Sequence, residues 1–297
     1  MKVLITGAGG LLGGQVARLA PKEWTVIAPS HNELDITSFG SCRDYFLREK
    51  PVLIINCAAI VSVDKCEENQ AVCFGVNRDG VRNLLEAVLT AGEPLVFIQI
   101  SSSEVFGRVN EWEFEINGYA ELDESKPVSA YQRSKAEAEK LVEEYGSRYP
   151  EIFKKYFIAR AGWLFGGARP TFVDQFFEAL QNPEPLDLIS DQWRTPTWTR
   201  YFCQALFKMF ETNPSGIYHL SSEFGKGEAT TPQVVSEIAK FLGEKAIAPI
   251  TTRSRLGFFK VPRAPSNVLI NTKLPHLPHW RNQIQEYLLL TSAKSAK

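Results

Sequence analysis

Met1-Lys2-Val3-Leu4-Ile5-Thr6-Gly7-Ala8-Gly9-Gly10-Leu11-Leu12-Gly13 opens the chain and decides its fold. A charge followed by apolar residues is interrupted at once by glycines, so the stretch reads as a first strand and not as a signal peptide. The strand Lys2–Thr6 runs straight into Gly7-x-x-Gly10-x-x-Gly13, and residues 11–20 can form a helix stopped by Pro21. A pyrophosphate at such a turn needs a backbone that approaches closely, without β-carbons in the way. It also gains from the N–H groups and positive dipole end of the helix. The same spacing would serve a merely tight β–α turn. The position between first strand and first helix favours a dinucleotide loop formed by Gly7, Gly10 and Gly13.

Outward from that loop the alternation continues. Strand-like runs occupy residues 24–28, 52–56, 95–100 and 156–161. Helix-like runs occupy residues 38–49, with Ser38 as N-cap, 77–91, with Gly92 just beyond, and 130–145, closed by Gly146. Repeated β–α units with right-handed crossovers predict an α/β fold, a doubly wound parallel sheet of Rossmann type. After Trp163 the rhythm changes and prolines cluster, which predicts a smaller, discontinuous C-terminal substrate lobe. The expected division gives residues 1–163 and 193–222 to the dinucleotide-binding domain, and 164–192 and 223–297 to the lobe.

Composition removes other classes. Of 297 residues, 44% are hydrophobic and 23% charged, which excludes extensive disorder, and 20 Gly with 17 Pro exclude a long coiled coil. A net charge of −1 gives no basic footprint for nucleic acid, and no apolar run approaches the ~18–20 residues that span a bilayer. Five cysteines without a Cys-x-x-Cys spacing suggest reduced thiols and a cytoplasmic location; Cys57 reads as an inert thiol. His276-Leu277-Pro278-His279 has no third ligand nearby, so no metal is expected. Asp64, Glu67 and Glu68 read as a solvated helix start. Trp112 and Phe114, in the loop 108–127, read either as a lid or as local packing.

Tyr131-Gln132-Arg133-Ser134-Lys135 opens a predicted helix, and i, i+4 spacing puts Tyr131 and Lys135 on one face. A phenol titrates near 10; a neighbouring ammonium would lower that value and let Tyr131 exchange protons near neutrality. Ser101-Ser102-Ser103 ends a strand on the edge where a doubly wound fold places its ligand. Asp35 reads either as an acceptor for adenine or as turn chemistry. Residues 28–32, at the second strand's end, hold no carboxylate to bind a ribose 2′-hydroxyl. That tilts the cofactor toward NADP(H), with NAD(H) as the second choice.

Together the 6–13 loop, Asn56-Cys57-Ala58-Ala59, Ser102 before Val105-Phe106-Gly107, and Tyr131…Lys135 resemble the extended short-chain dehydrogenase/reductases. Within that superfamily the chain resembles the dTDP-4-dehydrorhamnose reductase family. Val63-Asp64-Lys65-Cys66-Glu67, Arg160-Ala161-Gly162-Trp163, Asp191-Gln192-Trp193-Arg194-Thr195-Pro196-Thr197 and Arg263-Ala264-Pro265-Ser266-Asn267-Val268-Leu269 are similar to that family's V-D-K-A-E, R-T-S-W, D-Q-x-G-x-P-T and R-P-x-N-S-x-L. The resemblance implies Ser102, Tyr131 and Lys135 as the catalytic set. It also puts Leu11, Leu12, Ala58 and Ala59 at the cofactor, and Val63, Ser102, Ser103 and Trp163 at the sugar. From burial patterning alone, Trp163 reads as core. The chain departs from the pattern at Ser103-Glu104, where the family has Asp-Tyr, and at Gln132 and Arg194, where it has Gly.

The implied function is NAD(P)H-dependent reduction of a 4-keto-6-deoxy nucleotide sugar, by an enzyme for which a homodimer is open. Two alternatives stand beside it: a nucleotide-sugar epimerase or dehydratase, and a regulatory relative such as the β subunit of methionine adenosyltransferase. Finally, residues 245–273 hold Lys245, Arg253, Arg255, Lys260, Arg263 and Lys273 and no acid. This local charge of +6 reads as a site for the substrate diphosphate, with Arg263 the leading residue.

Overall fold

The computed structural model describes residues 1–107 and 118–295, so Trp112 and Phe114 lie outside the described residues. A six-stranded sheet forms the centre, in the order β2 (Thr25–Ile27), β1 (Lys2–Thr6), β3 (Leu53–Asn56), β4 (Leu95–Ser102), β5 (Phe153–Ala161) and β9 (Gly216–Leu220). Every neighbouring pair is parallel.

Alternation along the strands divides their side chains between two apolar layers. Val3, Ile5, Leu53, Ile55, Ile98 and Phe157 face one side, where they meet α1 (Leu11–Leu19) and the later helix Thr199–Thr212 through Val16, Phe202 and Leu206. Leu4, Ile54, Phe97 and Ile158 face the other. There they meet α2 (Phe39–Glu49), α5 (Gly80–Ala91) and α6 (Ala130–Arg148) through Phe46, Leu84, Val88 and Val142. The short helices α3 (Val63–Glu68) and α4 (Gln70–Phe74) precede α5. Each fully buried aliphatic or aromatic side chain contributes roughly 1.5–3 kcal/mol, so strands buried on both faces hold the sheet rigidly under its C-terminal edge.

Several boundaries differ from the sequence reading. The helix expected over 77–91 begins as α5 only at Gly80, behind a π-helical turn at Gly75–Asp79. That turn aims Asn77 inward: its Oδ1 accepts from Ile60 N at 2.8 Å, and its Nδ2 donates to Ser134 Oγ at 3.1 Å. Gly146 does not close α6, which continues to Arg148. The residue is a glycine because a β-carbon there would lie 2.1 Å from the Tyr156 ring.

The lobe has a core of its own, including Phe165, Val173, Leu188, Val234, Ile238, Trp280 and Ile284. Around it stand β6 (Trp163–Phe165) paired with β8 (Pro196–Trp198), β7 (Leu186–Ile189) paired with β11 (Ile250–Arg253), and β10 (Ser222–Glu223) paired with β12 (Leu277–His279). The helices α7 (Phe172–Ala179), α8 (Thr199–Thr212), α9 (Thr231–Leu242) and α10 (Trp280–Ser295) follow in chain order. One stretch that the sequence reading assigns to the lobe packs on the sheet domain instead. Ile270 N donates to Tyr119 O at 2.8 Å, and Thr272 Oγ1 donates to the buried Glu121 carboxylate at 2.6 Å. Glu121 has no solvent to satisfy it, and this segment supplies donors alongside His219 N of β9 at 3.3 Å.

Candidate active site

Toward their C-terminal ends, β1, β3 and β4 carry buried polar residues. Thr6 Oγ1 donates to Asn56 Oδ1 at 2.5 Å, Asn56 Nδ2 to Gln99 Oε1 at 2.8 Å, and Gln99 Nε2 to Ile100 O at 2.8 Å. Buried amides must be paired, and this chain of bonds crosses three strands and fixes the edge on which the site stands.

The glycine loop turns above that edge. Gly7 adopts φ +66°, and a β-carbon there would meet Ala58 N at 2.7 Å; one on Gly13 would meet Gly7 O at 2.3 Å. Both glycines are therefore required by the turn itself, which carries the chain from β1 into α1 and brings backbone N–H groups to the edge. Gly10, Leu11, Leu12 and Gly13 line a cavity of about 970 Å³, together with Cys57, Ala59, Val63, Ser102, Glu104, Tyr131, Lys135, Trp163, Arg194 and Arg263. Gly7 and Ala58 brace each other beneath it, and among the described residues neither belongs to its lining. Asp35 takes the turn role: its Oδ1 accepts from Thr37 N at 2.9 Å and Thr37 Oγ1 at 2.7 Å.

The start of α6 is built with care. Ser129 and Gln132 form a reciprocal capping box, and Glu67 of α3 accepts from Ala130 N at 2.8 Å. These contacts fix the first turn, on which Tyr131 stands. Ser134, held by Asn77, fixes the next residues, and Lys135 Nζ donates to Ile100 O at 2.7 Å. Tyr131 and Lys135 are almost wholly buried.

The electrostatics depart from the expectation for the phenol. Burial pushes Tyr131 above its ordinary value, the Ser102 hydroxyl within hydrogen-bonding reach pulls the other way, and the Glu104 carboxylate adds to the rise. The expected lowering by Lys135 does not prevail: burial outweighs it, and the Lys135 ammonium donates to the Ile100 carbonyl. Burial also lowers Lys135, to about 8, against the opposing pull of Glu139. Tyr131 thus stays a neutral acid, the state from which a proton is given. The Cys57 thiol is raised by burial, which keeps it protonated.

Against this geometry, comparison with known proteins is decisive. The model of the RmlD substrate binding domain family matches residues 1–292. The chain belongs to this family. It is 29% identical to the spore coat polysaccharide biosynthesis protein SpsK of Bacillus subtilis, over 97% of this chain and 96% of that one. It is 31% identical to a dTDP-4-dehydrorhamnose reductase of Aggregatibacter actinomycetemcomitans, over 75% and 74%. A crystal structure of the Clostridium acetobutylicum dTDP-4-dehydrorhamnose reductase superposes with a TM-score of 0.82 at 30% identity, covering 98% of this chain and all of that one. The Bacillus anthracis reductase, solved with NADP, superposes equally well, with a TM-score of 0.82 at 24% identity over 98% and 99%.

Within this RmlD family member, Val63 packs beside Tyr131 in an apolar cluster and faces the cavity. Trp163 is half-buried at the cavity wall, stacked on Phe172 with ring centroids 3.5 Å apart. It is therefore not a core residue, because the cavity keeps one side of it open. Ser103 is buried at the start of a 3₁₀ turn and, among the described residues, is outside the cavity lining. The turn that presents Ser102 rotates its neighbour away.

The acidic residues of α3 and the basic segment meet, and the basic reading needs correction. Asp64 and Glu68 are solvated on the short helix α3, as expected, but each also meets a cation: Asp64 pairs with Arg263 at 2.9 Å and Glu68 with Lys260 at 3.6 Å, while Glu67 caps α6. Arg253 pairs with Asp187, and Arg255 with Asp191 at 3.1 Å. Four of the six cations in this segment are thus matched by carboxylates from distant parts of the chain. Of Arg253, Arg255, Lys260 and Arg263, only Arg263 lines the cavity. His279, half of the doubtful metal pair, bonds to Glu228 at 2.9 Å.

Four features escaped the sequence reading. Asn77 gave no signal, since a buried asparagine and a surface one look alike in sequence. Arg169 lines the cavity beside the glycine loop and donates to Gly9 O at 2.8 Å, although it lies 160 residues away in sequence. Glu33, one residue past the acid-free stretch, folds back to accept from Ser30 N at 2.8 Å and Ser30 Oγ at 2.7 Å, so the second strand's end does carry an acid. Arg194 stands out in the sequence only as a departure from the family pattern; its surroundings are an outcome of the fold.

Proposed function

We propose that the protein is an NADP(H)-dependent reductase of a 4-keto-6-deoxy nucleotide sugar, with dTDP-4-dehydrorhamnose the first substrate to test. One observation carries the reading: Ser102, Tyr131 and Lys135 share a single cavity with the glycine loop, on the C-terminal edge of the sheet. The loop has the open backbone a pyrophosphate needs. The reductase relatives support the substrate class, and the NADP bound to the Bacillus anthracis enzyme supports the cofactor.

The reduced nicotinamide supplies the hydride for the carbonyl carbon. Everything else falls to the chain. The Ser102 hydroxyl donates to the carbonyl oxygen and holds it at the phenol. Tyr131 Oη gives its proton to that oxygen as negative charge develops there, and the nearby Lys135 ammonium offsets the phenolate left behind. In this reading Lys135 leaves Ile100 O to hold the ribose hydroxyls. Val63 and Trp163 flank the sugar, Arg263 holds the diphosphate at the mouth, and Gly10 to Gly13 with Ala59 receive the cofactor. Arg169 stands where a cofactor phosphate would pass.

Glu104 favours a second reading, an epimerase or dehydratase. Its backbone N–H donates to Ser102 Oγ at 3.2 Å, which places an extra acid beside the catalytic serine. The test is oxidation of NADPH and NADH against a panel of 4-keto-6-deoxy nucleotide sugars. Turnover supports the reductase; tightly retained NAD in the purified protein, with no net oxidation, supports the second reading.

A further inference from the structure

Glu104, Gln132 and Arg194 come from three separate stretches of the chain; Glu104 and Arg194 line the cavity, and Gln132 is buried behind Glu104. Gln132 is fully buried. Its Oε1 accepts from Val128 N at 2.8 Å and Ser129 N at 3.0 Å, and its Nε2 donates to Glu104 Oε2 at 3.2 Å. Glu104 is thereby fixed beside Ser102, and its charge acts on both Tyr131 and Arg194.

Arg194 leads into β8, its backbone N–H donating to Ala229 O at 3.0 Å. The guanidinium lies 5.6 Å from the centre of the Trp163 ring and lines the cavity. Its Nε is enclosed and meets no hydrogen-bond acceptor, and among the described residues no carboxylate lies within ion-pair distance of the side chain. The other cavity arginines have partners, Arg169 on Gly9 O and Arg263 on Asp64. An arginine cannot shed its charge to escape such a place. Enclosing a cation that has no hydrogen-bonded anion is unfavourable, the more distant Glu104 charge offsets only part of this, and the penalty is relieved when an anion joins it. Trp163 adds cation–π stabilisation and holds the fork's orientation.

We propose that Arg194 is a substrate-recognition residue that receives an anionic oxygen carried by the substrate, with Glu104 accepting a hydroxyl proton beside it. The inference rests on the reading of this cavity as a nucleotide-sugar site. Two parts of a nucleotide sugar offer an anionic oxygen: the phosphate nearest the sugar, which the 6-deoxy substrates share, or a ring carboxylate, where C6 is oxidised as in a uronate. The planar guanidinium fork suits either.

Calorimetric titration of the NADPH-loaded protein with dTDP, dTDP-glucose and dTDP-glucuronate separates these sources. With Arg194→Ala, a loss of at least about tenfold for all three places the phosphate at Arg194, and a loss for dTDP-glucuronate alone places the carboxylate there. Arg194→Lys, which keeps the charge but not the fork, should recover only part of the affinity. The Tm of ligand-free Arg194→Ala should equal or exceed that of the parent protein, since no ion pair or hydrogen bond of the side chain is lost and relief of the enclosed charge offsets the lost contact with Trp163. Unchanged affinities for all three ligands, or a marked fall in Tm with affinities retained, would overturn the assignment while leaving the nucleotide-sugar reading intact. Binding of none of the three by the parent protein would overturn both.

Discussion

The corner around Tyr131 and the basic stretch 245–273 both attract attention in the sequence, and the structure treats them oppositely. Tyr131 and Lys135 are four residues apart on one helix, so their shared face follows from helix geometry. The basic stretch has no such internal geometry. Its charges are set by what packs against them, and Asp187, Asp191, Glu68 and Asp64 arrive from elsewhere to meet Arg253, Arg255, Lys260 and Arg263. A short-range pattern survives folding; a charge count over a window does not, because it omits the partners that folding supplies.

The largest test of this contrast is Tyr131→Phe. The ring and its packing remain while the proton donor is lost. Turnover of the best substrate should fall by about 10²–10⁴-fold with NADPH affinity little changed. A variant within about threefold of the parent enzyme would remove Tyr131 from the chemistry.

Next comes the pH dependence of Lys135. Its ammonium is lowered to about 8 by burial, so the charge is present below that pH and lost above it. NADPH affinity should therefore fall as pH rises through about 8, and Lys135→Met should bind weakly and lose this limb. Stability moves the other way. Between about 8 and the ordinary lysine value of 10.5 the unfolded chain holds a proton that the folded chain has released, so the Lys135 contribution to stability rises with pH. Affinity and thermal unfolding measured across pH 7–10 should show these opposed slopes, and an affinity that is flat across that range would detach Lys135 from cofactor binding.

Smaller effects are expected in the basic stretch, graded by position. Arg263→Ala should raise KM with cofactor affinity retained, since it alone of the four stands at the cavity. Arg255→Ala leaves Asp191 without its buried partner and should lower stability by about 1–3 kcal/mol without altering KM. The double variant Arg253→Ala/Lys260→Ala removes exposed pairs worth about 0–1 kcal/mol each and should leave KM within about twofold. A large KM change in that double variant would restore the stretch as a phosphate site and erase the contrast.

Legibility in the sequence followed the range of the interactions. The β–α alternation, the glycine turn and the Tyr-x-x-x-Lys face depend on backbone periodicity and close contacts within a few residues, and these were readable. The π-helical turn that aims Asn77 was not, since one extra residue in a helical turn leaves no mark in apolar spacing. The extent of α6 past Gly146 was hidden for a related reason. A glycine ordinarily ends a helix, and only the Tyr156 ring packed against it explains its place inside one.

The sequence by itself determined the doubly wound sheet, the nucleotide-type loop and the pairing of Tyr131 with Lys135, because each follows from periodic geometry that every copy of the pattern must obey. Only the tertiary structure decided which charges are spent on one another and which remain. It matched four cations of one segment with acids from two others, turned Lys135 onto a strand carbonyl, and left Arg194 without an ion-pair partner at the cavity wall. The physical reason is that Coulombic interactions and desolvation depend on distance and burial in space. Neither quantity is written in the order of the residues.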